Sequence, residues 1–152
     1  MKNIIKSIRA TRRQKRQCKE LKARLLADYV EPTPIPNIYK VVFGDKSGKS
    51  FDIAKYNLYD AKEDLYLFNH CKAALHQLKF DGLYYIREHN MSLGWLGGIF
   101  DITTRAYVFA PRQSLNIKQF PNSKTDTMLL QTNNELIVFN LKTKLVERTI
   151  GI

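Results

Sequence analysis

Cysteine is nearly missing from this 152-residue chain, and what there is excludes a stapled secreted scaffold. Cys18 and Cys71 lie 53 residues apart and cannot form a disulfide framework, so a reducing compartment is expected. Long apolar runs are missing as well. No stretch approaches the roughly 18 apolar residues of a membrane-spanning helix. The start, Met1 to Arg9, is basic but lacks the continuous apolar run of about seven residues that a secretory signal needs. The expected location is therefore cytoplasmic or virion-associated, and not secreted. Proline is rare outside one place, since three of the five prolines fall at Pro32, Pro34 and Pro36. Acidic residues are scarce at one end: the first 24 residues contain ten Lys and Arg and one acid, Glu20.

That last deficit carries most of the chain's net charge of +11. Residues 25–152 hold 15 basic against 13 acidic side chains and are nearly balanced. A polyanion is the natural partner for such a segment. On a helical wheel Ile4, Ile8, Thr11, Cys18, Leu21 and Leu25 fall on one side, and Lys2, Lys6, Arg9, Arg13, Arg16 and Arg24 on the other. This predicts an amphipathic basic helix running to about Ala27, roughly 40 Å long. Only Arg16 and Arg24 have an acid within one turn, at Glu20.

Arginine use is local: five Arg and five Lys in the arm, four Arg and eleven Lys elsewhere. Guanidinium forks grip phosphate through two parallel hydrogen bonds and stack on bases, which ammonium groups cannot do. The expected nucleic-acid-binding set is Lys2, Lys6, Arg9, Arg12, Arg13, Lys15, Arg16, Lys19, Lys22 and Arg24. Ile4, Ile8, Leu21 and Leu25 form an apolar stripe expected to dock on protein, either a partner or another copy. A membrane surface is disfavoured, because that stripe lacks Trp and Phe. The run Thr11-Arg12-Arg13-Gln14-Lys15-Arg16-Gln17 resembles the arginine-rich motif of the lambdoid phage antitermination proteins, which implies a short helix entering an RNA hairpin.

The expected organisation is a basic helical arm at 1–30, a proline spacer at 31–36 in polyproline II form, and a globular domain at 37–152. In that domain Ile38 to Phe43 and Phe51 to Tyr56 read as strands. Asp60 with Glu63 resembles a capping box, and Leu65, Phe68, Cys71, Leu75 and Leu78 lie at helical spacing up to Asp81-Gly82, which predicts a helix of about five turns. Leu83 to Glu88, Trp95 to Ile102, Arg105 to Phe109, Leu115 to Phe120, Thr127 to Gln131, Leu136 to Leu141 and Leu145 to Ile150 read as strands. The expected fold class is α+β, one helix packed on an antiparallel β-meander, with no internal repeat.

Sites for chemistry are sparse. Gly44-Asp45-Lys46-Ser47-Gly48-Lys49-Ser50 resembles a phosphate-binding P-loop one residue short, and the alternation after it predicts a hairpin turn instead. Gly82-Leu83-Tyr84 followed by Trp95-Leu96-Gly97 resembles the signature of the GIY-YIG nucleases, with Arg105 near the place of that family's catalytic arginine and Glu135 or Glu147 as metal ligand. Trp95 stands where that family has its second tyrosine. His70, Cys71, His76 and His89 could be counted as zinc ligands, but they lack paired spacing. They read as a buried thiol and surface imidazoles, and Tyr39, Phe43, Phe51, Tyr56, Tyr84, Tyr85 and Tyr107 as core or a sheet-borne stacking face. No catalytic residue, metal or cofactor is expected. The expected function is non-enzymatic binding of nucleic acid, DNA or RNA, through the Arg-rich helix. The alternative is a structural subunit of a phage or virus particle whose arm docks on a neighbouring subunit or packaged genome, and a GIY-YIG-like nuclease is the remote one.

Overall fold

The structure, a computed structural model, describes residues 2–44, 54–69, 71–80 and 82–152, and side chains from residue 12 onward. It forms two compact units, residues 1–71 and 72–152.

The first unit holds the one helix among the described residues, α1 (Lys2–Leu25), and an antiparallel sheet of β1 (Tyr29–Pro32), β2 (Ile38–Phe43), β3 (Lys55–Asp60) and β4 (Leu65–Tyr66), in that order. The helix stops at Leu26, whose φ of 55° is left-handed. The Ala27 N–H donates to the Lys22 carbonyl at 3.1 Å and the Leu26 N–H to Ala23 at 3.4 Å, the two bonds of a Schellman cap. Past this turn the chain enters β1 beneath the helix. Leu21, Ala27 and Val30 then bury against Tyr39, Val41 and Tyr59 of the sheet, with Cys18 and Leu25 half-buried beside them. No helix among the described residues is long and apolar enough to cross a membrane.

The second unit contains two more four-stranded antiparallel sheets. One is β5 (Ala74–Gln77), β6 (Leu83–Asn90), β7 (Gly94–Asp101) and β8 (Ala106–Gln113). The other is β9 (Asn116–Gln119), β10 (Thr127–Gln131), β11 (Glu135–Asn140) and β12 (Leu145–Gly151). The two pack face to face. Leu83, Tyr85, Ile99 and Phe109 meet Met128, Leu130, Ile137 and Phe139, and the Phe109 and Phe139 rings cross at 86° with centroids 5.7 Å apart. Each such side chain taken from water contributes about 1.5–3 kcal/mol.

All three sheets are up-and-down meanders closed by the same turn between their third and fourth strands. Asp60, Asp101 and Asn140, 41 and 39 residues apart, end β3, β7 and β11. Each side-chain Oδ1 accepts a backbone N–H two residues on: Lys62 at 2.9 Å, Thr103 at 2.9 Å and Lys142 at 2.8 Å. The fourth residue after each has a left-handed backbone: Asp64 (φ 56°), Arg105 (φ 56°) and Lys144 (φ 61°). The next N–H after each anchor, at Ala61, Ile102 and Leu141, donates at 2.8 Å to the carbonyl just before the second strand, at Asn37, Gly82 and Asp126. A bulge follows at the same place in two of the sheets, between Ile99 and Phe100 and between Val138 and Phe139. A four-stranded meander recurring about every 40 residues has the strand count and order of a propeller blade.

This overturns the α+β expectation: the chain is mostly β, with one helix and three sheets among the described residues in place of a helix on a single meander. The expected second helix does not form. Asp60 does cap, accepting the N–H groups of Lys62 and Glu63, but what it closes is a hairpin turn, and the left-handed Asp64 stops helical growth. The 65–78 stretch becomes β4 and β5, with Phe68, Leu75 and Leu78 buried and Leu65 and Cys71 exposed. Nor is 31–36 a polyproline spacer. Pro32 ends the edge strand β1, where a missing N–H is tolerated, and Thr33 bonds Ile38 across the β1–β2 turn. The repeat, unexpected from the sequence, is carried by the turns.

Candidate nucleic-acid interface

α1 is amphipathic, and the sheet decides which of its sides meets solvent. With Leu21 buried and Cys18 and Leu25 half-buried, the side centred opposite them is free. Arg12, Lys15, Arg16, Lys19 and Lys22 occupy it at spacings of i, i+3, i+4, i+7 and i+10, one stripe about 120° wide and about 15 Å long. All five are exposed, and none forms an ion pair with a carboxylate among the described residues. Lys22 also lies in the last turn, where a cation suits the helix dipole.

The remaining described cations, Arg13 and Arg24, flank the packed side. Arg24 donates to the Tyr59 hydroxyl at 2.8 Å, sits 5.7 Å from its ring centroid and pairs with Asp64 at 3.7 Å. Tyr59 itself donates to Asp64. Two turns earlier the Tyr39 hydroxyl donates to Gln17 Oε1 at 2.5 Å. These bonds fix the helix on the sheet around a cleft of about 250 Å3 lined by Gln17, Glu20, Arg24 and Tyr39. Burial pushes the Tyr39 phenol up, with Cys18 adding and Arg13 opposing. Burial and the bond to Asp64 do the same at Tyr59, against the pull of Arg24.

The structure brings Arg12, Lys15, Arg16, Lys19 and Lys22 together, turns Arg24 to the sheet, and buries Leu21 with Leu25 beside it. The side chains of Lys2, Lys6, Arg9, Ile4 and Ile8 lie outside the described residues. So does the P-loop-like turn beyond Gly44, together with Phe51 and His70. Of the nuclease-like residues, Tyr84 is buried and Trp95 is exposed, and the neighbouring Tyr85 hydroxyl donates to the Leu115 carbonyl at 2.8 Å. Arg105 is in the β7–β8 turn, Glu135 pairs with Arg112 at 2.8 Å, and Glu147 accepts from Asn140 at 2.7 Å. No group of three His, Cys, Asp or Glu among the described residues could hold a metal. Of the aromatics expected as core or stacking face, Tyr39, Tyr84 and Tyr85 are core, and Tyr56 lies under the Lys40 ammonium at 5.0 Å. Tyr107 packs edge-on against Phe100, and burial beside Glu88 pushes its phenol up to about 12.

The sequence reading missed the polar anchors Gln17, Tyr39, Tyr59 and Asp64 that hold α1. Their only signal is that two tyrosines, Tyr39 and Tyr59, share a cross-strand register with their hydroxyls toward the helix. Neither a protein-family model nor a curated protein matches the chain.

Proposed function

We propose that the chain is a non-enzymatic nucleic-acid-associated protein that lays α1 along a phosphate backbone. The observation that supports this is the stripe of five exposed cations, with no ion pair among the described residues, on a helix whose other side is occupied by its own sheet. Such a stripe is a fixed ridge of charge, and phosphates displace counterions from it on binding. Five neutralised phosphates give a slope near −4.5 in log K against log salt on duplex DNA, about a 500-fold loss of affinity between 50 and 200 mM. Fluorescence anisotropy with labelled duplex DNA and with RNA across that range tests it. Replacing Arg12, Arg16 and Lys19 by Gln lowers the slope by about 3 and weakens binding across unrelated sequences alike. Salt-independent binding, or an unchanged slope in the triple variant, refutes the reading. A second reading, a subunit of a large assembly whose arm docks on a neighbour or genome, draws support from the exposed apolar residues of β12.

A further inference from the structure

The three sheets repeat one unit, so their faces can be compared position by position. Residues opposite each other across two strands share a face, and neighbours along a strand alternate. By this rule Leu58 of β3, Ile99 of β7 and Val138 of β11 are equivalent, each two residues before its turn anchor. Leu58 and Ile99 are both 0% exposed, and Ile99 is covered by the third sheet. Val138 is half-exposed, as are Leu129 opposite it and Leu136 two residues before it. Ile150, opposite Leu136, is 38% exposed, and Leu145 at the near end of β12 is 65% exposed. The third sheet therefore buries one face on the second and leaves open the face that its repeats bury.

We propose that a second copy of this chain covers this face, sheet to sheet about a two-fold axis. Elimination argues for that geometry. The opposite, stacking-type face is already occupied in each sheet: by α1 on Tyr39 and Val41, by burial of Tyr84, Ile86 and Phe100 in the second, and by the second sheet on Met128 and Phe139 in the third. Among the described sheets a second copy offers the same open face, so the contact is isologous. The charges suit it. Arg148 stands on the open face opposite Val138, where the second sheet has the buried Phe109, and it has no ion pair among the described residues. Glu147 beside it is held to the same rim by Asn140 and has none either. A two-fold axis sets each Arg148 against the other copy's Glu147. Edge-to-edge pairing is disfavoured, because the bulge and these adjacent charges interrupt β12. Four strands about 4.8 Å apart and about 20 Å long offer roughly 400 Å2 of sheet per copy, about 800 Å2 in all and below the roughly 1,200 Å2 of stable interfaces, so the association is weak.

Sedimentation velocity on nuclease-treated full chain from 1 to 200 μM decides it. A monomer–dimer equilibrium with a micromolar midpoint is expected. Val138→Glu shifts it to monomer, and so does Arg148→Glu, while the charge-swapped pair Glu147→Arg with Arg148→Glu restores the dimer at least tenfold over the single variant. The surface variants keep the thermal transition of the parent. A monomer throughout, open-ended association, or a dimer indifferent to Val138→Glu and Arg148→Glu overturns the proposal, as does failure of the swapped pair to recover.

Discussion

Asp101 offers the sharpest perturbation, because one carboxylate does two separable jobs while only 2% exposed. Its Oδ1 accepts the Thr103 N–H at 2.9 Å, and the Thr104 N–H also points at the carboxylate; its Oδ2 takes the Lys144 ammonium. Removing the whole group by Asp101→Ala leaves backbone donors in the turn unsatisfied and loses the ion pair, at a cost of about 3 kcal/mol. Asp101→Asn keeps an acceptor for the turn, as Asn140 does in the third sheet with Lys142 and Thr143. It loses only the charge-assisted bond to a Lys144 that is 41% exposed and can turn to water, about 1 kcal/mol. Urea denaturation at pH 7 measures both, read from the midpoint at constant slope. The pH dependence supplies a second test. Burial pushes the Asp101 carboxyl up, but the Lys144 ammonium and the turn N–H groups outweigh it and hold the pKa below 3.8. A lowered folded pKa gives stability that is full above about pH 4 and is lost as pH falls through the folded value. Protonated Asp101 then resembles Asn, so the gap between parent and Asp101→Asn closes at low pH. Equal destabilisation by Asn and Ala at pH 7, or a gap that persists at low pH, refutes the division of labour.

Leu26 sits left-handed at the α1 cap with 85% of its surface exposed, so Leu26→Gly relieves about 1 kcal/mol of steric strain without losing packing. Against the added freedom of the unfolded chain, the net gain is about 0.5 kcal/mol, seen as a higher melting temperature; destabilisation would mean that Leu26 packs. Gly98 is the reverse case. A Cβ there meets the Phe109 carbonyl oxygen at 2.9 Å and the Pro111 nitrogen at 3.1 Å, both backbone, so Gly98→Ala forces β7 and β8 apart at about 2 kcal/mol in a urea titration, where a neutral result would refute the close approach.

Most strands were legible because they alternate. β2, β6, β10 and β11 bury every second residue or run apolar, and bounding turn residues mark them. The false helix at 60–78 shows where this stops. β4 has two residues and β5 four, too short for a period of two to appear, while five apolar residues happened to fall at helical spacing. Burial sorts that coincidence, taking Phe68, Leu75 and Leu78 and leaving Leu65 and Cys71 outside. The repeat was hidden for a different reason. Equivalent strand positions carry Lys40, Tyr85 and Leu129, which share no chemistry, and the common element is one Asp or Asn followed four residues later by a non-glycine in left-handed backbone. At the candidate interface the cations could be counted from the sequence, but their sorting could not. Arg24 and Lys22 both carry a positive charge, and the position of Tyr59 ties one to the sheet and leaves the other in solvent.

The acids of the body explain why the charge on α1 is left over. Glu31 pairs with Lys40, Glu88 with Lys72, Asp126 with Lys79, Glu135 with Arg112 and Asp101 with Lys144, each within its own unit. These pairs set five carboxylates of the body against cations of the body. Among the described residues only Asp64 pairs with a cation of α1, and it meets Arg24, a residue already committed to Tyr59. If the arm's cations existed to hold the helix on its sheet, acids would line the contact. What lines it instead is Leu21, Val30, Val41 and two tyrosines, so adhesion is apolar and hydrogen-bonded while the stripe stays unneutralised. Five cations on about 15 Å of helix repel one another, and a bound anion would relieve that repulsion. Docking by one side and charge on the other are thus independent properties of α1, and on the proposed function substitutions in the stripe are expected to lower affinity for phosphate while leaving the melting temperature unchanged.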